Sequence, residues 1–309
     1  MILTLTINPA LDRNVTVDRL AFEDRGYILS TSESPGGRGI NASRVIHCFG
    51  GKTLALATAG GETGNQFESL AQDIDFPLEL VRTAAETRTN LTITDKQGLT
   101  VKLNEQGPVI TARELERVAA AVEKHLPKAT WFMICGSLPP GVPSHFYKDI
   151  IELAQKRKVP TMLDTDGDAL LHGLEASPTV VSPNQQEAER LLNRALITRT
   201  HLIDAVQRIH GMGAEAVVLS LGSRGAMARS GTDIVEAVPP RIDAVCPIGA
   251  GDALAAAFTW AMSQGKHFID AVRWGVAAGT ASAKLPGVTY ANLAQTREVY
   301  AQVEMKFIS

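Results

Sequence analysis

Gly249-Ala250-Gly251-Asp252 sets a carboxylate directly behind two glycines and ahead of the apolar run Ala253-Leu254-Ala255-Ala256-Ala257-Phe258. Small residues let backbone N–H groups point at an incoming anion, and a helix start adds unpaired donors and the positive end of its dipole. An acid in the first turn can then take the proton of a hydroxyl beside the held anion. The chemistry this suits is phosphoryl transfer to an alcohol. Taken alone, the tetrapeptide is equally a loop with two glycines and an N-terminal helix acid.

Four further segments carry polar chemistry. Pro35-Gly36-Gly37-Arg38-Gly39-Ile40-Asn41 precedes an expected helix, so its backbone can approach a ligand that Arg38 and Asn41 face; an ordinary turn and N-cap is the rival reading. Cys135-Gly136-Ser137-Leu138-Pro139-Pro140-Gly141 follows an apolar strand and puts Ser137 at its carboxyl end. In Ser182-Pro183-Asn184-Gln185-Gln186-Glu187 the spacing sets Asn184 and Glu187 on one helical face, where they could order the water shell of Mg²⁺, and a helix cap accounts for Asn184 equally well. Ser220-Leu221-Gly222-Ser223-Arg224-Gly225-Ala226 ends another strand and turns, as the rim of a nucleotide site or as a plain hairpin.

The elements that must position these residues are legible as alternation. Apolar runs at 2–7, 53–59, 130–135, 159–164, 179–182 and 216–221 are each followed by a longer helical pattern, which predicts an α/β fold with a mostly parallel sheet covered on both faces. Thr111-Ala112-Arg113-Glu114 reads as a capping box opening a helix to about His125, and Gly50-Gly51 stop a helix begun after Asn41. Two segments, 11–34 and 88–104, break the alternation. In the second, residues 90–94 and 100–103 flank Lys96-Gln97-Gly98 as a hairpin, and both segments read as strands of a small lid inserted in one body. Ligands are then expected at the carboxyl ends of the sheet strands.

Composition narrows the partners. The chain has 309 residues, 45% of them hydrophobic, and a net charge of −3 with both signs interspersed. That disfavours a nucleic-acid surface or a membrane anchor and favours a small ligand. Cys48, Cys135 and Cys246 are odd in number and set in apolar surroundings, which suits reduced core thiols and a cytoplasmic protein. The histidine spacings hold no zinc motif.

Thr6-Ile7-Asn8-Pro9-Ala10-Leu11-Asp12, the glycine-rich turn, Thr87-Arg88-Thr89-Asn90, Leu103-Asn104-Glu105-Gln106-Gly107-Pro108, Gly136-Ser137-Leu138-Pro139, Leu163-Asp164-Thr165 and Gly249-Ala250-Gly251-Asp252 occur in this order over nearly the whole chain. In this the chain resembles the ribokinase-like carbohydrate kinases of the PfkB family, most of all the phosphosugar branch. The resemblance implies a three-layer α/β/α sandwich of nine strands or a similar number with a β lid, and a homodimer through the lids. It implies ATP and Mg²⁺ as cofactors. Transfer would go to a primary hydroxyl of a ketose phosphate, with fructose 1-phosphate first and tagatose 6-phosphate or fructose 6-phosphate as alternatives.

Carried over residue by residue, the resemblance makes Asp252 the general base and the backbone of Gly249, Ala250 and Gly251 the anion hole. Asp12 and Asn41 would hold sugar hydroxyls, with Asn90 and Ser137 beside them and Gly37 against the ring. Arg88, Arg25, Lys102 and Arg38 would hold the sugar phosphate. Asn184, Ser220, Gly222 and Gly225 would line the nucleotide, and Glu187 would reach the metal through water. The chain departs from the family pattern at Ser182, where lysine is usual, and at Pro247-Ile248, where Thr-Val is usual. Both departures imply weaker ATP binding, and a sugar-phosphate-binding protein without catalysis is the alternative from another class.

Overall fold

The computed structural model describes residues 1–21 and 23–308; Phe22, inside the first expected lid segment, and Ser309 lie outside them. The chain runs through β1 (Ile2–Thr6), β2 (Ala10–Val17), β3 (Ile28–Gly36), α1 (Arg38–Cys48), β4 (Thr53–Gly60), α2 (Gly61–Ala71) and β5 (Leu78–Thr83). There follow β6 (Arg88–Asp95), β7 (Thr100–Asn104), α3 (Ala112–His125), β8 (Trp131–Cys135), α4 (Phe146–Lys156), β9 (Thr161–Asp164), α5 (Gly167–Glu175) and β10 (Val180–Val181). The rest comprises α6 (Gln185–Leu192), α7 (Arg199–Gly211), β11 (Ala216–Ser220), β12 (Ala226–Ser230), β13 (Asp233–Val238), α8 (Ala250–Ser263), α9 (Phe268–Ala283), α10 (Leu293–Tyr300) and β14 (Glu304–Ile308).

Among the described residues the large sheet has ten strands in the order β14-β13-β12-β11-β10-β9-β8-β1-β4-β5. Every pairing from β11 to β5 is parallel. The expectation of a mostly parallel sheet therefore holds over that block, while β12, β13 and β14 add an antiparallel edge that the apolar runs do not announce. Successive side chains on a strand face opposite ways, and here both faces are buried. Leu3, Leu5, Phe132, Ile134, Val217 and Leu219 join one core with α3, α4, α5 and α7. Ile2, Trp131, Met133, Ala216 and Val218 join the other with α1, α8 and α9. That is the three-layer arrangement.

A second sheet, ordered β3-β2-β6-β7, gathers the two segments that interrupt the alternation. Its registers put Asp12 opposite both Ser34 and Asn90, and Asn90 opposite Asn104, so these polar side chains share one face. Ile28, Val15, Val17, Leu91, Ile93, Val101 and Leu103 share the other. The β6–β7 hairpin is tied at its tip by the Asp95 carboxylate, which accepts the N–H groups of Gln97 and Leu99 at 2.9 Å each.

Local signals fix several ends. Thr111 and Glu114 form the expected capping box of α3. The N–H groups of Gly50 and Gly51 close on His47 and Ile46 and end α1. The start of α1 differs from the sequence expectation. Gly37 is its N-cap, with φ 134°, and the helix begins at Arg38, so Arg38 and Asn41 sit in its first turn rather than ahead of it. The cysteines also differ: all three are free, but only Cys135 is buried, Cys48 being exposed and Cys246 half-buried.

Candidate active site

Parallel strands end together, and here the ends of β1, β8, β9, β10 and β11 deliver Thr6, Ser137, Asp164, Ser182 and Ser220 to one edge of the large sheet. The segment after β13, which runs in the same direction as β11, leads to Gly249 and the start of α8 over that edge. Gly249 is the N-cap in the left-handed region, with φ 79°, a conformation that glycine adopts without steric cost.

The N–H of Ala250 turns back to the carbonyl of Pro247 at 3.2 Å, so it is not free for an anion in this structure. The N–H groups of Gly249, Gly251 and Asp252 have no backbone acceptor among the described residues. Of the three amides expected to form an anion hole, those of Gly249 and Gly251 are thus free of backbone acceptors among the described residues, and so is the amide of Asp252.

Asp252 stands in the first turn of α8, and its Oδ2 accepts a 2.7 Å hydrogen bond from Asn41 Nδ2. Asn41, expected on a sugar hydroxyl, thus spends its side-chain amide on the carboxylate of Asp252 in this structure. Burial first, and then the charge of Asp164, push the Asp252 carboxyl up to about 7, against the opposing pull of Arg38 and Asn41. A base poised near neutrality is what proton abstraction from an alcohol requires.

Arg38 is placed differently from expectation. Its Nη1 donates to Asp164 Oδ1 and its Nη2 to Glu187 Oε1, both at 2.9 Å, and Asp166 lies 3.7 Å away. Asp164 and Glu187 are almost wholly buried, and each carboxyl is raised by that burial more than Arg38 lowers it. A guanidinium committed to two buried carboxylates is not available to a sugar phosphate, because leaving them would strand both charges.

Glu187 is engaged by Arg38 and by the start of its own helix. One oxygen meets Arg38, and the other accepts the N–H of Asn184 at 2.8 Å. Asn184 Oδ1 accepts the N–H of Glu187 in return, so the pair forms the capping box of α6, the alternative that the sequence allowed for Asn184.

On the other side of the cleft, Arg88 Nη2 and Nη1 donate to the carbonyls of Asn8 and Glu105 at 3.0 and 2.9 Å. Among the described residues Arg88 has no carboxylate within ion-pair distance. It is thus held in place by neutral acceptors, with the carboxylates of Asp12, Asp166 and Glu105 near it but none in direct contact, so its N–H groups can still turn to a phosphate. Arg88, Gln106, Ser137 and Asp166 line a cavity of about 470 Å³, whose lining does not include Asp252.

Asp12 accepts from Asn90 Nδ2 at 3.0 Å, and burial raises its carboxyl. Arg25 and Lys102 are not drawn in: both are exposed, Arg25 between β2 and β3 and Lys102 on the outermost strand β7, and neither side chain makes an ion pair among the described residues. Asn184 and Ser220 come together through a bridge between their backbones. Gly222 and Gly225 shape the tight turn from β11 to β12, closed by Leu221 N–H to the Gly225 carbonyl at 2.8 Å.

Three participants carry no role in the sequence reading. Asn8 donates from Nδ2 to the Gln106 carbonyl and to Ser137 Oγ, at 2.9 and 3.2 Å, and ties the end of β1 to the cavity wall. Asp164 ends an apolar strand, a position where a buried acid is itself a signal. Tyr290, between α9 and α10, packs on Gly249 and has no local signature. Buried polar atoms without partners gather here too: Thr6 Oγ1, Asn8 Oδ1, Asn90 Oδ1 and the Tyr290 hydroxyl.

The family model described as pfkB family carbohydrate kinase matches residues 7–295. The chain is 33% identical over 295 residues to the ATP-dependent 6-phosphofructokinase isozyme 2 of Mycobacterium tuberculosis, covering 94% of this chain and 86% of that protein. It is 32% identical over 303 residues to the enzyme of the same name from Escherichia coli, covering 97% and 98%. The solved structure of Escherichia coli phosphofructokinase-2 in complex with substrates and products superposes with a TM-score of 0.88 at 32% identity, over 97% of this chain and 98% of that one. Its tetrameric inhibited form superposes with a TM-score of 0.90 at 32% identity and the same coverage.

Proposed function

The chain belongs to the pfkB family of carbohydrate kinases, and from that membership we propose that it transfers the γ-phosphoryl group of ATP to the primary hydroxyl of a ketose phosphate. The observation that carries this reading is Asp252 at the start of α8, held by Asn41 and raised to about 7, beside unpaired backbone N–H groups. Asp252 takes the hydroxyl proton as the sugar oxygen attacks. A new P–O bond forms, the bond from the γ-phosphorus to its bridging oxygen breaks, and ADP leaves. The N–H groups of Gly249, Gly251 and Asp252 face the charge on the moving group. Asp12 and Asn90 suit the sugar hydroxyls, and Arg88 with Ser137 suits the phosphate the sugar already carries.

Fructose 6-phosphate is the acceptor favoured by the relatives, which are named 6-phosphofructokinases; the motif resemblance puts fructose 1-phosphate first. Either would give the same bisphosphate. Asn184, Ser220, Gly222 and Gly225 form the nucleotide side of the cleft in this reading.

A Mg²⁺ ion would come in on the ATP phosphates and neutralise their charge, keeping most of its waters. Among the described residues no group of three or more His, Cys, Asp or Glu side chains is placed to hold a metal, and Glu187, with one hydrogen bond on each oxygen, would reach the ion only through water.

The smaller sheet serves as a lid inserted in one body spanning 1–309. Its outward apolar face, where Ile28 and Leu103 are 67% and 56% exposed, supports a homodimer through the lids. Three unpaired cysteines support a cytoplasmic setting.

The test is the initial rate of ADP formation from Mg²⁺-ATP with fructose 6-phosphate, fructose 1-phosphate, tagatose 6-phosphate and fructose compared side by side. One phosphosugar turned over well ahead of fructose is the expected result. No turnover on any acceptor would overturn the kinase reading.

A further inference from the structure

The hydroxyl of Tyr290 is sealed from solvent and has no hydrogen-bond partner among the described residues, in a residue only 9% exposed. A buried hydroxyl without a partner costs free energy, and proteins tolerate few of them. This one is aimed at the N-cap of α8: a Cβ placed on Gly249 would lie 2.7 Å from the Tyr290 oxygen. At the same helix start, the amides of Gly249, Gly251 and Asp252 lack backbone acceptors, while Ala250 is diverted to Pro247. Pro247 itself can contribute no N–H. The helix start and the phenol thus present donors without acceptors at one place, and the species that would satisfy them together is an anion.

We propose that the Tyr290 hydroxyl is a catalytic hydrogen-bond donor of the anion hole, bonding an oxygen of the transferred phosphoryl group. Burial and the nearby charge of Asp252 hold the phenol well above its ordinary range, so it keeps its proton and stays a donor at neutral pH. Gly249 serves the same arrangement from the other side, since any larger residue would take the space the hydroxyl occupies. The inference rests on the kinase reading and adds a group to it.

The test is Tyr290→Phe in the full chain, which removes one oxygen and keeps the ring. With Mg²⁺-ATP and fructose 6-phosphate, or whichever acceptor the wild type prefers, kcat should fall roughly 10–10²-fold with little change in either KM. The ligand-free Tm should stay level or rise, because the oxygen has no partner to lose before the phosphoryl group arrives. A kcat within about twofold of wild type, a change confined to KM, or a kcat loss accompanied by a lower ligand-free Tm would each overturn the assignment. Wild-type protein run in parallel separates the two readings: an active wild type matched by the variant defeats the role of Tyr290 alone, and an inactive wild type defeats both.

Discussion

At the scale of the residue, Asp252 decides most of the behaviour. Its carboxyl titrates near 7 in the ligand-free protein because burial and Asp164 disfavour the charge. Below that pH it holds a proton and cannot accept another, so kcat/KM should climb as pH rises through about 7 and level off above it. Initial rates at low acceptor concentration across that range check this, and a flat profile would remove Asp252 as the base. The folded pKa lies above the ordinary value for an unfolded aspartate, about 3.9. The native state therefore binds more protons, and the contribution of Asp252 to stability is lost as pH rises toward 7. Asp252→Asn should accordingly lower kcat by about 10²–10⁴ while raising Tm at slightly alkaline pH. A near-normal rate or a lowered Tm would contradict the assignment.

At the scale of the element, α8 is aimed by α9. The two helices approach closely at Gly279, where a Cβ would lie 2.8 Å from the carbonyl of Ala250 in the first turn of α8. Backbone cannot yield as a flexible side chain does, so Gly279→Ala should push that turn away from the cleft. The expected cost is about 1–3 kcal/mol in denaturant unfolding, with kcat reduced although Asp252 is untouched; unchanged kcat would show that the helix start tolerates the shift.

Elements whose signals are local were readable from sequence. The capping box of α3 needs only Thr111 and Glu114, and β8 announces itself as an apolar run because both its faces are buried. The antiparallel edge was only partly readable: the turns after β11 and β12 are local, but β14 joins β13 across α8, α9 and α10, a pairing distant in sequence. The destination of Arg38 was hidden for the same reason: Asp164 and Glu187 stand 126 and 149 residues away. Its charge was legible; the carboxylates that claim it were not. Asp252 was found because glycine, helix start and acid are neighbours in sequence, whereas Tyr290 reaches the same spot only through the fold.

At the scale of the whole molecule, the smaller sheet presents two unlike faces. Asp12, Asn90 and Asn104 share the polar one, and Ile28, Val101 and Leu103 share the apolar one, largely open to solvent. An open apolar face on a lid is a surface another copy of the chain would cover. Sedimentation of the double variant Val101→Asp, Leu103→Asp should show monomers where the unaltered protein shows dimers; a wild type that is itself monomeric would overturn the dimer.

The hydrogen bond from Asn41 to Asp252 spans 211 residues of chain. A contact of that reach forms only after the intervening loop has closed, and loop closure of this kind belongs to the late, slow part of folding. During refolding, helical circular dichroism should therefore return before catalytic activity does. In a chain made from its N-terminus, Asp12, Asn41, Arg88, Asn90 and Ser137 are all synthesised before Asp252, so the candidate site stays without its buried carboxylate until α8 has been made.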